Sequence, residues 1–468
     1  MKRILLFSSL ILLILKILVL CGCANIIPPT GGPRDSLPPR LVRVNPPDSS
    51  KSFNTKTITF TFDEFIEQPQ ETFKNLIVSP TPAIPPVVES KLRTLTVKIK
   101  DTLEPNTTYY YNFGDAIRDV NEQNVLHNFS YIFTTGSELD SLAFSGNVIV
   151  AETGGIDTTM IVMLHRSGID SAVVKERPRY YTKLDGRGNF RFLYLPPGTY
   201  YIYALKDDNN TRNYLSGTQL FAFADTPVVV KSGAAPVTLY AYAEKKEQPV
   251  ATVSFTGGTR TGGNRPDDRR LKFTTTGPVQ DLLGKFSLSF ERPIRNLDTT
   301  KIQLTTDSTF NPVPSGWELD SLKKKLTLKT TWTENTLYNI ILDKDFAEDS
   351  LGRRLLKTDT ISFTTKKQTD YGSVKVSFIN LDLSQNPVLQ FSQGGAVVKT
   401  YPLITTEIYE QLFNPGDYDL SILYDANKNG RWDPGQFFGT KRQPELVRPL
   451  NKKVSIRANW DNEFEVKL

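Results

Sequence analysis

At 468 residues, with 30 Pro, 29 Gly, 27 Phe and 19 Tyr but only 3 Met, the chain is long enough for several domains of ~100–150 residues each. Its aromatic, turn-rich composition points to β-structure. The net charge of +6 is spread along the chain, which excludes the clustered basic face that nucleic-acid binding requires.

Lys2 and Arg3 precede an apolar run from Ile4 to Leu20 that only Ser8, Ser9 and Lys16 interrupt. The chain then reads Leu20-Cys21-Gly22-Cys23. A basic start, an apolar stretch and small residues before a cut describe a secretory signal over residues 1–22. The rival reading is an uncleaved membrane anchor, but the run is at the short end of the ~20 residues that span a bilayer, and Lys16 breaks it. Leu-x-Gly-Cys resembles the lipobox of bacterial lipoproteins, which implies that Cys23 is acylated and becomes the first mature residue. Lys2, Arg3 and Lys16 leave with the leader, so the mature chain carries +3. Both cysteines lie at this junction. The mature chain keeps one and forms no internal disulfide, which domains of this size do not need. Residues 23–39 hold the lipid site and a proline-rich tether, Pro28-Pro29-Thr30-Gly31-Gly32-Pro33 among them, that resists helix and acts as a semi-extended spacer.

Period-two alternation follows. Ile58, Phe60 and Phe62 share one face of a strand, and Leu95, Val97 and Ile99 share one face of another. Tyr109 to Phe113 and Ser130 to Thr134 continue the pattern, with turn clusters every ten or so residues, as in a β-sandwich. No long amphipathic helix follows the leader.

An internal repeat organises the rest. Leu195-Pro196-Pro197-Gly198-Thr199-Tyr200 returns as Phe413-Asn414-Pro415-Gly416-Asp417-Tyr418. At constant offsets come Asp207 and Asp425, Asn209 and Asn427, Tyr214 and Trp432, Gly217 and Gly435. A second pair repeats more weakly. Phe60-Thr61-Phe62-Asp63-Glu64 is matched by Leu288-Ser289-Phe290-Glu291-Arg292, Glu104-Pro105-Asn106 by Glu334-Asn335, and Tyr131 to Thr135 by Ile361 to Thr365. The predicted order is A-B-A-B: residues 40–138, 139–250, 271–368 and 369–468. A Gly- and Arg-rich linker over 251–270 separates the halves. The expected fold is all-β, four β-sandwiches in tandem.

The A segments resemble the bacterial Ig-like domain first described in S-layer proteins. The resemblance rests on the strand ending Phe62-Asp63-Glu64, on Leu103-Glu104-Pro105-Asn106-Thr107-Thr108-Tyr109, and on the closing Phe133-Thr134-Thr135-Gly136. The B segments resemble the transthyretin-like or carboxypeptidase-regulatory-like sandwich, through Phe144-Ser145-Gly146, Gly186-Arg187-Gly188-Asn189-Phe190 and Leu195 to Tyr200. With Cys23, the whole chain resembles Ig-like-domain lipoproteins of outer membranes. That implies a lipid-anchored scaffold with an envelope protein as partner. The second A segment departs by lacking Asn112-Phe113-Gly114-Asp115.

Signs of catalysis are sparse, and the chain is read as a non-enzyme. His127 and His165 are the only histidines, so a zinc site lacks ligands. No Gly-x-Ser-x-Gly elbow occurs, and the glycines from Gly277 to Gly284 are too far apart for a phosphate loop. Asp425, Asn427, Asn429 and Asp433 have the spacing of a calcium loop, with Gly430 at its sixth position. Position twelve, however, is Gln436, so the same residues read better as an Asx-rich turn. Apart from calcium there, no cofactor is expected. Trp432, Phe437 and Phe438 crowd the same loop as candidates for gripping a partner or stacking on a glycan, or for core packing. Asp115, Asp119, Asn121 and Glu122 raise an acid–base hydrolase reading, against a capped turn.

Overall fold

The computed structural model describes residues 34–67, 76–245, 270–306 and 309–468. The leader, Cys23 and most of the tether and linker lie outside these residues. Among the described residues no helix is long and apolar enough to cross a membrane, and the α-helix is a single turn, Ala172–Lys175. The chain divides into two compact units, Met1–Leu142 with Leu193–Pro196, and Ala143–Phe192 with Pro197–Leu468.

In the first unit a four-stranded sheet runs in the order Leu41–Asn45, Thr57–Phe62, Thr94–Lys98, Val87–Lys91, beside a three-stranded sheet of Ile77–Ser79, Thr108–Gly114 and Phe129–Thr134. Alternation builds both: Ile58, Phe60 and Phe62 are buried while Thr57, Thr59 and Thr61 are not. They join Tyr109, Tyr111, Tyr131 and Phe133 in one core. Phe133 is its centre, with Phe53 stacked at 3.8 Å and Tyr109 at 5.2 Å between ring centroids. Each such ring removed from water stabilises the fold by about 1.5–3 kcal/mol.

The second unit holds the other three modules, apart from Leu142 and Leu193–Pro196 of the first B module. The first B module pairs Asn189–Leu195, Leu142–Val150 and Val237–Ala241 in one sheet, and Tyr180–Lys183, Met160–His165, Gly198–Lys206 and Phe221–Phe223 in another. The second B module repeats both orders, with Glu407–Phe413, Gly372–Ile379 and Asp461–Lys467, then Ala396–Pro402, Pro387–Gln393, Gly416–Tyr424 and Leu446–Ile456. In each, the first and last strands run parallel. The second A module has its own core around Phe286, Leu326, Ile340 and Phe346.

The A repeat extends to single hydrogen bonds. Asn106 and Asn335 both sit in the left-handed region, φ 48° and 47°. Tyr109 Oη accepts from Glu104 N at 2.8 Å, and Tyr338 Oη from Thr333 N at 3.2 Å. Thr135 Oγ1 donates to Glu104 O, as Thr365 Oγ1 does to Thr333 O, each at 2.6 Å. Glu104 therefore matches Thr333, and the sequence pairing of Glu104 with Glu334 is one residue out of step. The backbone turn is repeated, and the glutamates are not.

Candidate functional site

The segment joining Gly416–Tyr424 to Leu446–Ile456 contains every candidate of the second B module. Asp425, 2% exposed, closes the strand. Its Oδ1 accepts Lys428 N at 2.7 Å and Asn429 N at 3.2 Å, and its Oδ2 accepts Gly430 N at 2.6 Å. The sister Asp207 accepts Thr211 N and Arg212 N, each at 2.9 Å, on the same two oxygens. The left-handed residues also coincide, Asn210 and Arg212 in one loop, Lys428 and Gly430 in the other. Asn427 and Asn429 turn their amides onto Asp433 Oδ2 at 2.5 and 2.7 Å. Glu445 accepts Ala426 N at 2.9 Å and Asp433 N at 3.0 Å. Burial, reinforced by the Asp425 and Asp433 charges, pushes the Glu445 carboxyl above its ordinary value.

This arrangement accounts for Asp425 as the anchor of an Asx turn, with both oxygens engaged by amides. Among the described residues no group of three or more His, Cys, Asp or Glu is placed to hold a metal. The melting temperature is expected to be unmoved by calcium or a chelator. Asp425→Ala should cost about 1 kcal/mol, because it removes the acceptor of three part-buried turn amides that water can then solvate. A chelator-sensitive melt that the substitution abolishes would establish the calcium site instead.

Beyond the turn the loop leaves its own module. Phe437 is 0% exposed. Its ring lies 5.1 Å from Phe221, 5.3 Å from Phe223 and 5.7 Å from Tyr203, all in the first B module. Polar contacts surround it. Phe437 N donates to Glu244 Oε1 at 2.9 Å, Gln443 Nε2 donates to Asp225 Oδ1 at 2.8 Å, and Lys441 pairs with Asp170 at 2.6 Å. Val447 N donates to Ala151 O at 2.9 Å, so backbone also joins the two modules. Gly435 permits the approach: a Cβ there would stand 2.5 Å from the Tyr242 ring and 2.8 Å from Arg442 O.

Of the alternatives for this loop, Phe437 takes core packing, against the sister sandwich, and is not open to a separate partner. Phe438 stays exposed on one side and stacks toward Tyr214 at 6.1 Å. Trp432 is half-buried against Val388, Leu423 and Val447, with Nε1 donating to Glu445 O at 2.7 Å. The sequence singled out the loop but missed Phe221, Phe223, Glu244 and Gln443. The run Met160 to His165 offers a signal, since it is buried at every position and therefore covered on both faces. His165 Nε2 is buried with no hydrogen-bond partner among the described residues, and burial lowers its pKa to about 4.

In the first unit Asp119 and Asp115 each have local partners. Asp119 accepts Glu122 N, Gln123 N and Asn124 N at 2.6–3.0 Å. Burial acts to raise its pKa, but these amides outweigh it and hold the carboxyl below its usual range. Asp115 is exposed and pairs with His127 Nδ1 at 3.1 Å.

Residues 35–135 match the bacterial Ig-like domain family. No curated protein matches the chain. Among solved structures, a fragment of native alpha-2-macroglobulin from Escherichia coli, domains MG0-NIE-MG1, is 14% identical over 38% of this chain and 70% of its own, with a TM-score of 0.20. BcpA, the major pilin subunit of Bacillus cereus, is 10% identical over 69% and 98%, TM-score 0.16. The N-terminal part of the bacterial S-layer protein SbsC is 15% identical over 44% of each chain, TM-score 0.16. Scores this low establish neither a shared arrangement of modules nor a shared role.

Proposed function

We propose that the chain is a lipid-anchored, non-catalytic scaffold of the bacterial envelope, attached at the outer membrane through acylated Cys23 and presenting its sandwiches to an envelope protein. The observation that carries this reading is the Phe437 clasp. Modules joined by linkers move independently unless an apolar interface locks them. Here a fully buried ring, backbone hydrogen bonds and an ion pair join two sandwiches that are far apart in sequence. Rigidity of that kind suits a protein whose work is to hold surfaces at fixed positions. The Ig-like match at residues 35–135 agrees with a modular role. The hydrolase reading asks for converging carboxylates, whereas Asp119 caps a turn and Asp115 pairs with His127.

Intact-mass spectrometry of the native protein tests the anchor. The N-terminus is expected at Cys23 and should carry acyl chains. Cys23→Ala should abolish that added mass and move the protein out of the membrane fraction with its melting temperature unchanged. An unmodified N-terminus on membrane-bound native protein would defeat the proposal.

A further inference from the structure

The second B module carries two aromatic side chains that its fold does not use. Trp460 is 61% exposed and Tyr409 66% exposed. The other tryptophans, Trp317, Trp332 and Trp432, are half-buried. An exposed aromatic side chain presents an apolar face beside a polar tip, and two that border the same groove form a surface suited to stacking. Both rings border one groove of about 370 Å³, whose floor and walls include Ser373, Gln411, Asn459 and Asp461.

The groove lies across the outer face of the three-stranded sheet. Tyr409 stands opposite Lys375 on the central strand, and Lys375 opposite Glu463 on the far strand. Trp460 lies in the turn that leads into that far strand, and the groove runs between it and Tyr409. Ser373 pairs with Asp461 in the next row, its Oγ donating to Asp461 Oδ1 at 2.7 Å. The side-chain amides of Gln411 and Asn459 have no partner among the described residues.

Trp460 is also held in place. Asn462 is buried, and its Nδ2 donates to Trp460 O at 3.0 Å, Ser373 O at 2.9 Å and Arg457 O at 3.1 Å. Asn459 N donates to Tyr371 O at 2.7 Å, and Ser373 N to Trp460 O at 3.0 Å. The Arg457 guanidinium sits 5.4 Å from the indole centre, which orients the ring. An aromatic fixed before its ligand arrives loses little entropy on binding. The fold itself demands none of this. The sister module enters its equivalent last strand, Val237–Ala241, through Gly233-Ala234-Ala235-Pro236, with no aromatic.

From these features we infer that the Tyr409–Trp460 groove binds an uncharged oligosaccharide. Aromatic faces stack on the apolar C–H faces of pyranose rings, and unpaired amides exchange hydrogen bonds with hydroxyls. The rings are separated by polar rows, so the face lacks the contiguous apolar centre of a protein hot spot. Lys375 pairs with Glu407 at 3.2 Å, and Arg457 shares the face with Asp461 and Glu463, so the face offers no positive field for a polyanion. The inference is independent of lipid attachment.

The test is calorimetric titration of the full mature chain with cellohexaose and with fully N-acetylated chitohexaose, with tryptophan fluorescence followed in parallel. Saturable binding of at least one sugar is expected, with a fluorescence change. Trp460→Ala and Tyr409→Ala should each weaken it about tenfold or more, and Trp460→Phe should weaken it less. Both sites are exposed, so melting temperatures should not move. Failure of both sugars to saturate at millimolar concentration would overturn the inference. So would unchanged affinity in Trp460→Ala, or binding confined to a dextran sulfate control.

Discussion

Phe437→Ala is expected to destabilise the second unit by about 3–5 kcal/mol, the range for deleting a buried phenylalanine and leaving a cavity. The magnitude follows from position. The ring is wholly buried and touches Phe221, Phe223, Tyr203 and Phe438. The substitution opens a cavity against Phe221, Phe223 and Tyr203 of the first B module and does not touch the second module's own core, so each module should keep its strands while the connection between them weakens. Denaturant unfolding should therefore show an earlier first transition, and Phe437→Leu should recover part of the loss. A change below about 1 kcal/mol, the size ordinary for surface positions, would mean that the loop rests on the sister module without holding it.

Stability should also fall steeply in mild acid, through His165. The histidine is 1% exposed, in a strand buried along its whole length, with the Tyr203 ring centroid 5.6 Å away. Burial lowers its pKa from 6.5 to about 4. The neutral form is therefore the folded one. As pH falls below 6.5 the unfolded chain takes up a proton and the folded chain does not, so the stabilisation present above 6.5 is lost progressively down to about 4. The interval corresponds to about 3 kcal/mol at 1.36 kcal/mol per pH unit. Asp119, Asp157 and Asp281, held below their usual range, add losses only at lower pH. In His165→Leu the difference between pH 7 and pH 4.5 should shrink by most of that amount, and the variant should match the parent at pH 7, since a buried nitrogen without a partner is removed. Equal pH profiles for the two proteins would show that His165 is solvated in the folded state.

Much of the fold is legible in the sequence because strands announce themselves locally. Thr57-Ile58-Thr59-Phe60-Thr61-Phe62 alternates and is buried in alternation. The B repeat is legible through residues that set backbone geometry. Asp207 and Asp425 are aligned by sequence and turn out to cap identical turns. The clasp is not legible in that way. Gln443 and Asp225 meet from 218 residues apart, and no local pattern encodes a pairing over that distance. The run Met160 to Leu164 shows that both faces of its strand are covered, but not by what. The aromatics of the 425–445 loop stand out in the sequence as candidates either for a partner or for core packing, and only the folded chain shows that Phe437 packs against its own sister module. Tyr409 and Trp460 escaped notice because period-two reading seeks buried aromatics, and these two lie on the solvent face.

Amide hydrogen exchange at Phe437 and Val447 in the native chain tests the clasp most directly. Their N–H groups donate across the two B modules, to Glu244 and to Ala151. If the modules are one rigid scaffold, both amides should exchange as slowly as those of the core strand Gly416–Tyr424, with exchange accelerating sharply in Phe437→Ala. Exchange at Phe437 and Val447 as fast as at the exposed Gly394–Gly395 hairpin turn, in the unmodified chain, would contradict the account.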